Sequence, residues 1–293
     1  MDGIIVLDKP AGITSHDAVQ RIRRIAGTRR VGHLGTLDPI ATGVLPMVVG
    51  KATRLSQFFL NHDRAYEATI QCGQETLTYD SAGEPVGEPQ TPALTAEQVT
   101  SAVAAFKGRS SQDPPPVSAK KIGGVPAYKL ARSNQRVELE PVEVEIYEIE
   151  AFDIQLDRFG LRMRCSTGTY VRSLAHDLGR RFGCGAHVSA LRRTAMGEFG
   201  LTSARTLEEL EALRDEDRLD EALLSSTALL PEMPVQRVDE VDAARIAHGR
   251  DFRVTAPVDR APAKRIKAIA PDGRLVAIGE IRLPTLYHPI VVF

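Results

Sequence analysis

Gly32-His33-Leu34-Gly35-Thr36-Leu37-Asp38-Pro39-Ile40-Ala41-Thr42-Gly43-Val44-Leu45-Pro46 sets a single carboxylate inside a run of glycines, prolines and small residues. Glycine reaches backbone angles closed to other residues, and Pro39 biases Asp38 toward an extended conformation. Such a stretch can aim one side chain into a confined space. Taken alone, Asp38-Pro39 also reads as an ordinary turn start. An aimed carboxylate would serve as a nucleophile or a proton carrier.

Outward from this run, residues 4–7 read as a short buried strand, followed by a Lys9-Pro10-Ala11-Gly12 turn and helix-capping candidates at Thr14 and Ser15. Val19, Ile22 and Ile25 form a helical stripe that Gly27 can end. Arg21, Arg23, Arg24, Arg29 and Arg30 then lead into the Asp38 run, either as a solvated helix face or as a patch for phosphates. Alternation predicts strands through Tyr66, Ala68, Ile70 and Cys72, through Val142, Val144 and Ile146, and through Leu161, Met163 and Cys165. A capping box at Thr95 and Gln98 opens a helix through Val99, Ala102, Val103 and Phe106 that Gly108 should stop. Val171, Leu174, Ala175 and Leu178 mark another, ending at Arg180 and Arg181; the acidic stretch from Leu207 to Leu230 also reads as helical, and Asp272-Gly273 reads as a hairpin turn between strands. Strand and helix do not alternate strictly, so the expected class is α+β with a mixed sheet.

Composition narrows the field. The 293 residues are 43% hydrophobic and 26% charged, an ordinary balance for a globular protein, and no apolar run nears membrane-spanning length. The N-terminus lacks the basic start and cleavage site of a signal peptide, so a cytoplasmic location is expected. Cys72, Cys165 and Cys184 are odd in number and far apart in sequence, which offers neither a disulfide framework nor a metal knuckle. The net charge of −1 conceals strong blocks. Residues 1–60, 106–136, 161–198 and 243–293 carry +4, +6, +5 and +5, whereas 61–105, 137–160 and 199–242 carry −6, −7 and −8. The positive blocks hold the motif-bearing segments, so a basic face can coexist with a near-neutral total.

Two other chemistries fit poorly. Gly43 to Gly50-Lys51 has the wrong glycine spacing for a phosphate loop, and Ala52 stands where Ser or Thr is required. His176-Asp177 has no second pair with metal-ligand spacing and reads as surface residues on a helix.

The opening run, Gly-His-x-Gly-x-Leu-Asp-Pro-x-Ala-Thr-Gly-x-Leu-Pro, closely resembles the catalytic motif of the TruB family of tRNA pseudouridine-55 synthases, with Asp38 at the position of the essential nucleophile. Four more segments resemble that family in order. Lys9-Pro10-Ala11-Gly12-Ile13-Thr14-Ser15 matches the motif that buttresses the catalytic loop. Arg64-Ala65-Tyr66-Glu67-Ala68 matches the segment whose tyrosine stacks on the target base. Ser166-Thr167-Gly168-Thr169-Tyr170-Val171-Arg172-Ser173-Leu174-Ala175 matches the one carrying an active-site tyrosine and arginine. Gly183-Cys184-Gly185-Ala186-His187-Val188-Ser189-Ala190-Leu191-Arg192-Arg193 matches the one whose leucine lies under the base. His33 matches a histidine that fills the space left by the flipped nucleotide. Read without the resemblance, Tyr66 and Leu191 would be packing residues, Tyr170 a helix start and His33 a structural loop histidine. Arg172 has an independent case, since an arginine buried near a helix start needs an anionic partner; Asp38 is the candidate, and the pairing should keep it ionised.

The resemblance implies an α+β fold with a mixed, mainly antiparallel sheet of pseudouridine synthase type over residues 1–232, a basic RNA-contacting flap at 110–136, and a small β-rich PUA-like RNA-binding domain at 233–293. It implies isomerisation of uridine-55 in the T-loop of tRNA by Asp38 acting on a flipped-out nucleotide, with no cofactor and no metal. Asp38, Arg172 and Tyr66 would be catalytic, and His33, Tyr66, Tyr170 and Leu191 would bind substrate. The expected partner is tRNA, through its T-arm loop and, at the tail, its acceptor stem; no membrane or obligate protein partner is expected, and the chain should be a monomer. The alternatives are a noncatalytic RNA-binding or tRNA-folding protein on this scaffold, and a related synthase for another RNA. Two departures stand out: Leu77 replaces an acidic residue in Thr76-Leu77-Thr78-Tyr79-Asp80, and Val117 replaces an aromatic in Pro115-Pro116-Val117-Ser118-Ala119.

Overall fold

The computed structural model describes residues 1–117, 121–122, 125–126, 140–225, 227–254 and 263–293. Much of the expected flap, including Ser118, Ala119, Gly123 and Gly124, lies outside them.

Among the described residues, ten strands form one sheet whose main path runs Leu223–Leu224, Gly3–Lys9, Thr42–Val49, Ala186–Met196, Arg64–Cys72, Arg158–Cys165, Val142–Phe152, Gly108–Gln112. Every join along this path is antiparallel except the one between Thr42–Val49 and Ala186–Met196, so the mixed, mainly antiparallel α+β architecture is the one observed. The period of two drives the burial. In Gly3–Lys9, Ile5 and Leu7 face a core with Ala18, Val19 and Ile22 of the Ser15–Ile25 helix, while Ile4 and Val6 face a second core with Phe59 and Phe199. That helix starts on a capping box in which Thr14 and Asp17 satisfy each other's backbone N–H groups.

Residues 235–292 include a five-stranded sheet ordered Val235–Arg237, Arg265–Ile269, Leu275–Leu283, Leu286–Val292, Phe252–Arg253, with the Glu240–Ala247 helix packed on it. Asp272-Gly273 makes the expected hairpin turn, with Gly273 at φ 84°. Ile278 and Val291 join the second core of the large sheet, so the two sheets share apolar surface. Buried Lys267 adds a polar tie by donating to the carbonyls of Thr227 and Leu229.

Two expected boundaries shift. Gly108 opens the Gly108–Gln112 strand instead of stopping a helix, because the Ala96–Ala104 helix already ends at Ala105. The stretch 207–230 is not one helix: Leu207–Asp215 stops where Asp217 turns to φ 57°, and a short 3₁₀ turn, Leu219–Ala222, follows. Local acidity resembled a helical surface there, but the chain must turn back to pair Leu223–Leu224 with Gly3–Lys9.

Candidate active site

The Asp38 loop is pinned from below by the first turn of the chain. Lys9 is fully buried and its ammonium donates to the carbonyls of Pro10 and Ile13 at 2.8 Å and of Pro39 at 3.5 Å. The Ser15 hydroxyl donates to the Leu37 carbonyl and accepts from the Leu37 N–H, and the Gly12 N–H donates to the Pro39 carbonyl at 2.8 Å. These bonds to the loop backbone on either side of Asp38 hold the direction in which it points. Burial pulls the Lys9 pKa down to about 8, against the pull of Asp38.

The opposite wall comes from the start of the Val171–Phe182 helix. Tyr170 is its N-cap and lacks a side-chain cap bond; instead Gln112 clamps its backbone, accepting from the Tyr170 N–H at 2.8 Å and donating to its carbonyl at 3.1 Å. Arg172, on the first turn, is buried and meets both carboxylate oxygens of Asp38, with Nε 2.9 Å from Oδ2 and Nη2 donating to Oδ1 at 3.0 Å. Its Nη1 donates to the carbonyls of Thr78 and Val117 and lies 3.8 Å from Oδ2 of Asp80. This is the pair expected from sequence. Burial raises the Asp38 pKa above the ordinary aspartate value, and Arg172 opposes that rise without cancelling it.

Asp80 is the acid that sequence reasoning missed. It is buried, its Oδ1 accepts from the Thr78 hydroxyl and the Ala82 N–H, and its Oδ2 faces Arg172. Leu77 is 55% exposed, so the departure there removes no group from the cavity. Arg193 was also missed. It is fully buried and donates to the carbonyls of Val44, Gly35 and Thr36, so one guanidinium ties both flanks of the Asp38 loop together, and its charge acts on the Tyr66 phenol beside it. Both residues lie inside the quoted segments, but no local pattern distinguishes them there.

A cavity of about 240 Å³ lies between these walls, lined by Thr36, Leu37, Asp38, Arg64, Tyr66, Gly168, Thr169, Tyr170, Val171, Arg172 and Leu191. It falls just below the roughly 300–1,000 Å³ of typical small-molecule sites, a size for one flat ring rather than an extended ligand. Asp38, Tyr66, Tyr170, Arg172 and Leu191 thus converge as expected, and the Asp38 side chain stays 32% exposed toward the opening. Burial raises the Tyr66 pKa, with Arg193 opposing, so the phenol is protonated at neutral pH. His33 does not line this cavity. Its Nδ1 accepts from the Gly35 N–H at 3.3 Å, and burial, with Arg193 and His16 nearby, lowers its pKa, so the ring is neutral. His176 is not a surface residue either: its side chain is 15% exposed and its ring stacks on Tyr79.

Residues 23–171 match the family model for the N-terminal domain of TruB family pseudouridylate synthases, and residues 172–231 match that for the C-terminal domain of tRNA pseudouridylate synthase B. The chain is 53% identical over 292 residues to tRNA pseudouridine synthase B of Solibacter usitatus, covering 100% of each, and 42% identical over 300 residues to that of Thermobifida fusca, covering 100% of this chain and 98% of the relative. Among solved structures it resembles a chain of a Cbf5-Nop10-Gar1 complex, with TM-score 0.70 and 28% identity over 97% of this chain and 79% of that one. The chain belongs to the TruB family of pseudouridylate synthases. No helix among its described residues is long and apolar enough to cross a membrane.

Proposed function

We propose that this enzyme converts uridine-55 in the T-loop of tRNA to pseudouridine, with Asp38 as the nucleophile. The observation that carries the reading is the approach of Arg172 to both oxygens of Asp38, within 3.0 Å, at the wall of a base-sized cavity. The relatives named above are tRNA enzymes, which supports the substrate class. A stacked T-loop uridine must leave its stack to reach Asp38, so the nucleotide enters flipped out. The N-glycosidic bond breaks, the uracil turns within the cavity, and carbon 5 bonds to the ribose carbon that nitrogen 1 has left. The proton lost from carbon 5 is matched by one gained at nitrogen 1, so no atom is gained or lost overall.

In this reading Tyr66 and Leu191 hold the two faces of the detached base, and Tyr170 closes the helix side. Arg172 favours the ionised form of Asp38 against the cost of burial, and Asp80 with the Thr78 carbonyl aims Arg172. His33, outside the cavity, contacts the RNA that surrounds the flipped nucleotide. Residues 1–232 would form the catalytic unit and 233–293 a PUA-like unit for the acceptor stem.

The test is incubation with unmodified tRNA followed by carbodiimide mapping of pseudouridine, with Asp38→Asn alongside. The expected result is a T-loop product with the wild type and none with the variant, while both bind tRNA. A product elsewhere overturns the substrate assignment, and a fully active Asp38→Asn overturns the nucleophile.

A further inference from the structure

We propose that Tyr79 and His176 form a latch of positioning residues that holds the turn of residues 76–83 against Arg172; the proposal rests on Asp38–Arg172 being the reaction centre. Tyr79 is not glycine yet sits at φ 61°, a left-handed conformation that crowds a bulky side chain. A turn does not keep such a residue unless its surroundings over-determine it. Here the phenol ring stacks on the His176 imidazole, with centroids 4.0 Å apart and planes 14° from parallel. Glu75 flanks the ring, its Oε1 3.2 Å from Nδ1 of His176 but not hydrogen-bonded to it.

The helix explains why this matters for the site. Arg172 and His176 are four residues apart on the Val171–Phe182 helix, so they share a face one turn apart. Arg172 grips the Thr78 carbonyl and faces the Asp80 carboxylate, while His176 presses on the residue between them. The backbone completes the strap: the Val188 N–H donates to the Tyr79 carbonyl at 3.0 Å, and the Ser81 N–H donates to the Val188 carbonyl at 2.9 Å. If the stack is lost, Tyr79 can relax out of its left-handed angle, which swings Thr78 and Asp80 away from Arg172 and leaves its aim at Asp38 unsupported. Neither latch residue lines the cavity, so their effect falls on the reaction step and not on tRNA affinity.

The experiment compares wild type, His176→Ala, Tyr79→Gly and Tyr79→Phe by single-turnover pseudouridine formation on unmodified tRNA, by tRNA binding, and by hydrogen exchange of the Ser81 and Val188 amides. Glycine adopts the left-handed angle without strain, so Tyr79→Gly isolates the stack from the backbone angle. His176→Ala and Tyr79→Gly should each slow single-turnover conversion about tenfold, the scale of one aromatic pair. Their tRNA affinity should stay at the wild-type level, their Ser81 and Val188 amides should exchange faster, and Tyr79→Phe should recover both rate and protection. Wild-type rate or wild-type exchange in His176→Ala overturns the latch, as does a loss of tRNA affinity equal to the loss of rate. Absence of a T-loop product with the wild type would instead defeat the parent reading, and the exchange measurement still decides the latch.

Discussion

Asp38 stands between two opposed influences, desolvation and a guanidinium, and the balance has a measurable sign. Its pKa is raised, so the carboxylate form that the proposed attack needs is lost on acidification at a higher pH than for an ordinary aspartate, whose reference lies near ~3.9. The single-turnover rate should therefore fall through an acid limb above that value, and Arg172→Gln, which removes the opposing cation, should move the limb further up. Lys9 yields a stability prediction. Replacing it with methionine strands the carbonyls that it satisfies, at a cost of about 2–3 kcal/mol, read by urea denaturation at pH 7. Because its pKa is lowered from 10.5 to about 8 in the folded state, the unfolded chain binds more protons between those values. Wild-type stability should thus gain a rising contribution across that window which Lys9→Met lacks.

The elements carry a different lesson. Gly43 sits at φ 99° where the Thr42–Val49 strand meets Ala186–Met196 in the sheet's parallel join, and a Cβ there would lie 2.2 Å from the Arg193 carbonyl oxygen. Gly43→Ala must push these strands apart, so it should destabilise the fold by roughly 3 kcal/mol or more and abolish conversion, as thermal melting and the tRNA assay would show. The alternating strands and the capped helices could be read directly, since Tyr66, Ala68, Ile70 and Cys72 or Thr14 and Asp17 state their environment within a few residues. The Asp38–Arg172 pair was also legible, because a buried arginine demands an anion. Arg193 and Asp80 were not, since Arg193 meets the Val44 carbonyl 149 residues away, Asp80 meets Arg172 92 residues away, and no local pattern encodes such tertiary contacts. His176 was misjudged for the same reason: helix spacing puts it on the face of Arg172, but only the tertiary fold brings Tyr79 onto that face. His33 lies outside the cavity, at the end of a strand, Val31–His33, that pairs with Thr42–Val49.

At the scale of the molecule, a net charge of −1 coexists with four positive blocks, so RNA affinity should depend on local cations rather than on the total. Binding of unmodified tRNA should weaken steeply between low and physiological salt, as measured by filter binding; a salt-independent affinity would contradict a phosphate-based contact. The shared apolar surface and Lys267 join the C-terminal sheet to the large one, so Lys267→Met should loosen that junction and make residues 227–234 more sensitive to limited proteolysis. Asp38 and Arg172 are separated by 134 positions, and the strand carrying Leu191 and Arg193 ends only at Met196. During synthesis Asp38 leaves the ribosome long before Arg172, Leu191 of the same cavity or the Arg193 that braces its loop. Closing so large a ring is slow compared with local folding. A nascent chain thus stays inert through about two-thirds of its translation, and the enzyme gains its chemistry late and all at once.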